Sequence, residues 1–129
     1  MTACPCQSGD SYESCCAPFH RGGLAPTALQ LMRSRYAAFV KKDAAYLLRT
    51  CHPSLRTGYD GRGLRDSFAL AWCGLEIVEF CAGGPADQQG MVHFRAHWRD
   101  ASGGLQTHDE RSRFTRDRDG AWVYRDAKG

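Results

Sequence analysis

The chain has 129 residues, 43% of them hydrophobic, and a formal net charge of +3 carried on a surplus of arginine, 14 of the 17 basic residues. That length allows one main core rather than two, and so mild a charge does not by itself imply a nucleic-acid protein. No basic stretch followed by an apolar one opens the sequence, and no run is long enough to span a bilayer, so a cytoplasmic protein with reduced thiols and no membrane partner is expected.

In chain order, the first landmark is Cys4 to Cys16, CPCQSGDSYESCC, which gathers four of the seven cysteines into thirteen residues. Tetrahedral zinc needs four soft donors at about 2.3 Å, usually from two short chelating pairs separated by a turn. Cys4-x-Cys6 and Cys15-Cys16 are such pairs. Gln7-Ser8-Gly9 can reverse the chain between them, with Gly9 free to take a positive φ. Asp10 or Ser11 can cap a helical turn that returns Cys15 and Cys16 to the first pair. The competing reading joins the pairs by disulfides and needs an oxidising compartment. Adjacent cysteines do not form an ordinary disulfide with one another, yet both can approach one ion, which favours metal. Two alternatives stay open: His20 can replace Cys16 as fourth ligand, and iron suits four thiolates as well as Zn2+ does.

Gly22-Gly23 mark a hinge between this knuckle, residues 1–22, and a domain of residues 23–129. Thr27 followed by Gln30 predicts a capping box opening a helix whose stripe is Leu29, Met32, Tyr36, Phe39 and Val40, flanked by Arg33 and Arg35. Asp43 caps a second helix, which His52-Pro53 stops. Ser54 to Gly63 reads as a loop, and a third helix is expected from Leu64 to Cys73, carrying Phe68, Leu70 and Trp72. Beyond Gly74 the period becomes two. Strands are expected over Leu75 to Cys81, Met91 to Arg99, Leu105 to Arg116 and Ala121 to Tyr124. Three helices followed by four strands in meander order predict an α+β domain with helices on one face of an antiparallel sheet.

The turn near Gly103 predicts residue 97 opposite 107 and residue 95 opposite 109. His108, Glu110, Ser112 and Phe114 then join Val92, Phe94, Ala96 and Trp98 on the helix-facing side. Three inward polar groups suggest a pocket formed by His108, Glu110 and Ser112, with Tyr36 and Trp72 as its apolar wall. A buried Glu and His two apart on one strand can do acid/base work. The plainer reading has Glu110 accepting from Arg35 or a backbone group, tying the first helix to the sheet. No nucleophile motif surrounds Ser112, Cys51 or Cys73, so no catalytic residue is assigned. The other face carries His93, Arg95, His97, Arg99, Arg111 and Arg113 against Asp109. It suits RNA phosphate or an acidic protein, or is simply solvated. Cys51, Cys73 and Cys81 read as buried thiols.

At these residues the chain resembles two known patterns. CxC, eight residues, then CC, with Ser-Gly after the first pair, resembles the SEC-C zinc motif of the translocase ATPase SecA. PFHRGG, LMRSRYAAFV, HPS, W-x-x-L-x-I, E-x-S-x-F and G-x-W-x-Y-x-D resemble the small bacterial YchJ family, whose activity is not established. The resemblance implies a zinc knuckle before a nuclear transport factor 2-like (cystatin-like) cone, three helices on a curved antiparallel sheet. By the same resemblance the protein is a zinc-binding adaptor docking on a protein partner, a ribosome or a chaperone. The alternative is a ligand carrier or small enzyme using the Glu110 pocket. A homodimer through the open sheet face is a further expectation. Gln7 stands where the motif has glycine, and DSYES replaces its lysine-rich segment.

Overall fold

Thr27 opens the element on which the rest packs. In the computed structural model, which describes residues 2–54 and 66–128, its side chain accepts from Gln30 N at 3.1 Å and its hydroxyl donates to Gln30 Oε1 at 3.0 Å. The order is a 3-10 turn at Tyr12–Ser14, α1 (Ala17–His20), α2 (Ala28–Lys41), α3 (Ala44–Arg49), then β1 (Ala71–Ala82), β2 (Gln89–Arg99), β3 (Leu105–Arg116) and β4 (Trp122–Lys128). Helix α2 stops where Lys42 turns left-handed at φ 61°, and Asp43 accepts from Tyr46 N to start α3.

The four strands form one antiparallel sheet in the order β1-β2-β3-β4. Residue 97 pairs with 107 and 95 with 109, as the turn chemistry requires. Leu31, Met32 and Tyr36 of α2 are buried against Leu75, Val92, Phe94, Ala96, Phe114 and Trp122 of the sheet. The first turn of α2 crosses the β1–β2 hairpin closely, with Ala28 N donating to Gly83 O at 2.9 Å. A Cβ on Gly90 would lie 2.6 Å from Gly83 Cα and 3.0 Å from Ala28 Cβ, so only glycine permits that crossing. After α3 the chain runs beside β4, with His52 N donating to Tyr124 O and Tyr124 N to Thr50 O.

The third helix differs from expectation. Only residues 66–68 are helical among those described there, and Ala71 to Cys73 already belong to β1. Trp72 pairs with Trp98 across the strands, and its indole donates to Ser67 O at 2.9 Å. Ala71 and Trp72 find partners in Arg99 and Trp98 of β2, and that pairing prevails over the helical reading from residue 71 onward. Residues 55–63 of the expected loop, and Leu64 at the expected helix start, lie outside the described residues. Strand β4 continues past Tyr124 to Lys128, with a register shift opposite Arg113 and Phe114. Cys51 is fully buried, but Cys73 and Cys81 are exposed, because β1 is an edge strand with a register shift at Cys73.

Candidate metal centre and cavity

Backbone hydrogen bonds set up the knuckle before any sulfur is considered. Tyr12 N donates to Thr2 O and Cys4 N to Asp10 O, both at 2.9 Å, while Gln7 N donates to Cys4 O at 3.1 Å. Gln7 and Gly9 take the left-handed conformations that this reversal needs, φ 63° and 96°. The 3-10 turn then carries Cys15 and Cys16 back.

The Sγ atoms of Cys4, Cys6, Cys15 and Cys16 all lie within 4.8 Å of one another. Cys6 and Cys15 are 3.5 Å apart and Cys15 and Cys16 3.8 Å; the edge of a zinc-thiolate tetrahedron is about 3.8 Å. All four are free thiols, so the disulfide reading has no bond to stand on. The sulfurs are poised unequally. Hydrogen bonding from Cys16 holds the Cys6 thiol down to about 4, and that same bond, with burial, pushes Cys16 up. Burial raises Cys4 to about 11. Negative charge on one sulfur thus opposes charge on the next, a conflict that a divalent cation relieves by binding all four as thiolates. Soft donors, spacing and electrostatics therefore fit a metal ion.

His20 is occupied elsewhere. Its Nε2 donates to Ser34 O at 2.8 Å, leaving Nδ1 to accept from the Tyr12 hydroxyl at 2.7 Å. The ring fastens the knuckle to α2 and offers no ring nitrogen to a metal. Other ties act the same way: Arg33 donates to Cys6 O at 2.8 Å, and Arg49 donates to Phe19 O at 2.9 Å. Gln7 Nε2 donates to Cys73 O at 3.2 Å, at the register shift of β1. The Lys41 ammonium lies 4.1 Å from the Tyr12 ring centroid.

Between α2 and the sheet lies a cavity of about 550 Å³, and Tyr36, Trp72, His108, Glu110 and Ser112 all line it. Sequence reasoning did not assign Arg35, Trp98 or Tyr124 to this wall. Trp98 was within reach of the strand alternation, and Tyr124 of the G-x-W-x-Y-x-D pattern. Glu110 takes hydrogen bonds on both oxygens. His108 Nε2 donates to Oε1 at 2.9 Å, while Ser112 and Tyr124 donate to Oε2. Arg35 instead donates to Leu47 O at 2.9 Å and Thr50 Oγ1 at 2.6 Å, so the expected Arg35–Glu110 tie is replaced by one to the end of α3. Burial pushes the Glu110 carboxyl up, but the donors and the His108 charge outweigh it and the group titrates below its ordinary value. Pairing with Glu110 raises His108.

The opposite sheet face is less cationic than its strands suggest. Asp109 accepts from both His93 and Arg95, Glu76 approaches Arg95, and Asp126 pairs with Arg113. Glu76 and Asp126 come from β1 and β4, which the register of β2 and β3 alone does not bring into view.

This combination of knuckle, sheet and cavity has counterparts. Residues 27–127 match the family model described as YchJ, middle NTF2-like domain, and residues 2–18 match the SEC-C motif. The chain belongs to the YchJ-like family. It is 49% identical to a UPF0225 protein of Streptomyces coelicolor over 97% of this chain and 94% of that one. A UPF0225 protein of Geobacter sulfurreducens is 43% identical, covering 98% of this chain and 78% of its own length. Among solved structures, a SEC-C motif containing protein from Rhodopseudomonas palustris superposes with a TM-score of 0.87 at 34% identity, over 98% and 97% of the two chains. One from Psychrobacter arcticus gives 0.83 at 30%, over 95% and 80%. The body therefore has the nuclear transport factor 2-like fold, and the four cysteines of its SEC-C motif are placed where they could hold a metal ion. No described helix is long and apolar enough to cross a membrane.

Proposed function

We propose that this chain is a ligand-binding protein of the cytoplasm whose working part is the cavity between α2 and the sheet, and whose N-terminal knuckle is a zinc staple. The observation that carries this reading is the cavity of about 550 Å³, walled by aromatic rings and presenting, among the described residues, one carboxylate, Glu110. Concave apolar space with a few converging polar groups is the usual form of a small-molecule site. Cys4, Cys6, Cys15 and Cys16 would hold zinc, and four thiolates leave it no open position, so the ion supplies shape rather than catalysis. The test is a screen of small aromatic and apolar compounds read at the indole N–H signals of Trp72, Trp98 and Trp122. Compounds that move Trp72 and Trp98 but not Trp122 support the cavity, while compounds that move none of them, or only Trp122, count against it. Elemental analysis of protein purified without added metal decides zinc against iron, one ion per chain being expected.

The second reading is an adaptor whose knuckle docks on a ribosome or chaperone. Its support is the SEC-C likeness of residues 2–18 together with the exposed run Gln7 to Asp10. It predicts co-sedimentation with purified ribosomes, or capture by a purified chaperone, that Cys6→Ser abolishes; equal behaviour of the variant and the parent excludes it.

A further inference from the structure

Resting on the cavity reading, the chemistry of the wall narrows the ligand. Glu110 is the one carboxylate lining the cavity among the described residues. A carboxylate offers about four lone-pair positions. Ser112 and Tyr124 use Oε2, whereas among the described residues only His108 donates to Oε1, leaving one acceptor site there. The same cavity is lined by Tyr36, Phe39, Trp72, Phe94, Trp98 and Phe114. Tyr36 and Phe39 both pack against Trp72, with ring centroids 6.2 Å apart in each pair. Aromatic faces attract a cation and tolerate any apolar body, while an anion brought up to Glu110 meets like charge at low dielectric.

Among the described residues, two basic groups share the wall. Arg35 is turned toward the end of α3, where Leu47 O and Thr50 Oγ1 take its hydrogen bonds, and its guanidinium lies 5.1 Å from the Tyr124 ring centroid. His108 sits by Oε1 with 53% of its side chain exposed against 19% for Glu110, as a movable group over a fixed one does. We propose that the cavity binds a protonated amine carrying an aromatic or apolar body, its N–H donating to Glu110 Oε1 beside or in place of His108, and its body held among the rings. His108 is then the intramolecular stand-in for the ligand's cationic head, and Glu110 the residue that sets specificity.

Three probes of one shape test this on the metal-loaded full chain: 2-phenylethylammonium, 2-phenylethanol and 3-phenylpropanoate, titrated by calorimetry and by the Trp72 and Trp98 indole signals. The ammonium should bind about tenfold tighter than the alcohol, with the carboxylate weakest. Glu110→Gln should erase the preference for the ammonium over the alcohol, and His108→Gln should tighten the ammonium by removing its competitor. A merely structural role for His108 would not tighten anything. Binding of alcohol and ammonium with equal affinity, or tightest binding of the carboxylate, overturns the amine assignment and leaves the cavity reading standing. If no probe binds and xenon gas also fails to enter, both fail together.

Discussion

Among the described residues up to Gly22, the buried side chains are Cys4, Cys6, Cys16 and Ala17, whereas the body buries Leu31, Met32, Tyr36, Tyr46, Leu47, Val92 and Trp122. Beyond those, the first region adds only the partly buried Tyr12, Cys15 and Phe19 to the core, so its order leans on sulfur chemistry and on hydrogen bonds to α2. The second removes a helix stripe and one sheet face from water together, which is the ordinary source of domain stability. Their join is not loose. Cys4, Cys6 and Cys16 belong to the same buried cluster as α2 and the sheet, and Arg33 and His20 reach across it. The knuckle is thus a part whose four sulfurs could hold an ion and which the body receives.

On the proposed zinc-staple reading, removing the metal should have the largest effect. Structural zinc supplies roughly 10–16 kcal/mol of apparent folding free energy in small zinc-dependent peptides, far more than any single contact elsewhere. Cys6→Ser should lose the ion and the ordered amides of residues 2–22, as read by metal analysis and by NMR. A core truncation acts on the other region. Leu31→Ala, at 2% exposure, should cost about 2–5 kcal/mol in denaturant unfolding with the metal retained. Between these lies the tie itself: Arg33→Ala removes the donor to Cys6 O and should cost about 1–3 kcal/mol, appearing as faster amide exchange in the knuckle at unchanged metal content. Thr27→Ala removes the α2 cap, for about 1 kcal/mol in thermal unfolding.

The smallest effect is a pH dependence at the β2–β3 turn. Ser102, Gln106 and Gly104 donate to the Asp100 carboxylate and hold it down to about 2 from its ordinary 3.8. A carboxylate lowered on folding contributes stability that is fully present above its unfolded value and is lost as pH falls through its folded one. Asp100→Asn should therefore lower stability at neutrality, where the carboxylate's contribution is fully present, and flatten the stability profile between about pH 4 and 2; an unaltered acid limb would contradict the assignment.

How far the sequence was readable follows from the range of the interactions. The caps at Thr27 and Asp43 and the 97–107 register are local chemistry, and each is present as read. The cysteine quartet was equally local, since a turn of eight residues leaves the chelating pairs little choice but to meet. Once the register placed Glu110 inward, the cavity followed. What escaped was non-local. Residues Ala71 to Cys73 become strand because β2 offers them a partner, and Glu76 and Asp126 balance the sheet face because β1 and β4 lie alongside. His20 could be excluded as a ligand only when Ser34 O and the Tyr12 hydroxyl were seen at its two nitrogens. The exposure of Cys73 and Cys81 needed the knowledge that β1 is an edge.

A division of labour, a bound ion shaping the knuckle and packing holding the body, is what we propose, and one titration addresses it directly. Amide NMR spectra of the reduced, metal-loaded chain should be followed as a chelator is added. The prediction is that signals from residues 2–22 lose dispersion as the metal leaves, while those of β1 to β4 and most of α2 stay in place. Knuckle signals that persist without metal, or a collapse of the whole spectrum with them, would contradict it.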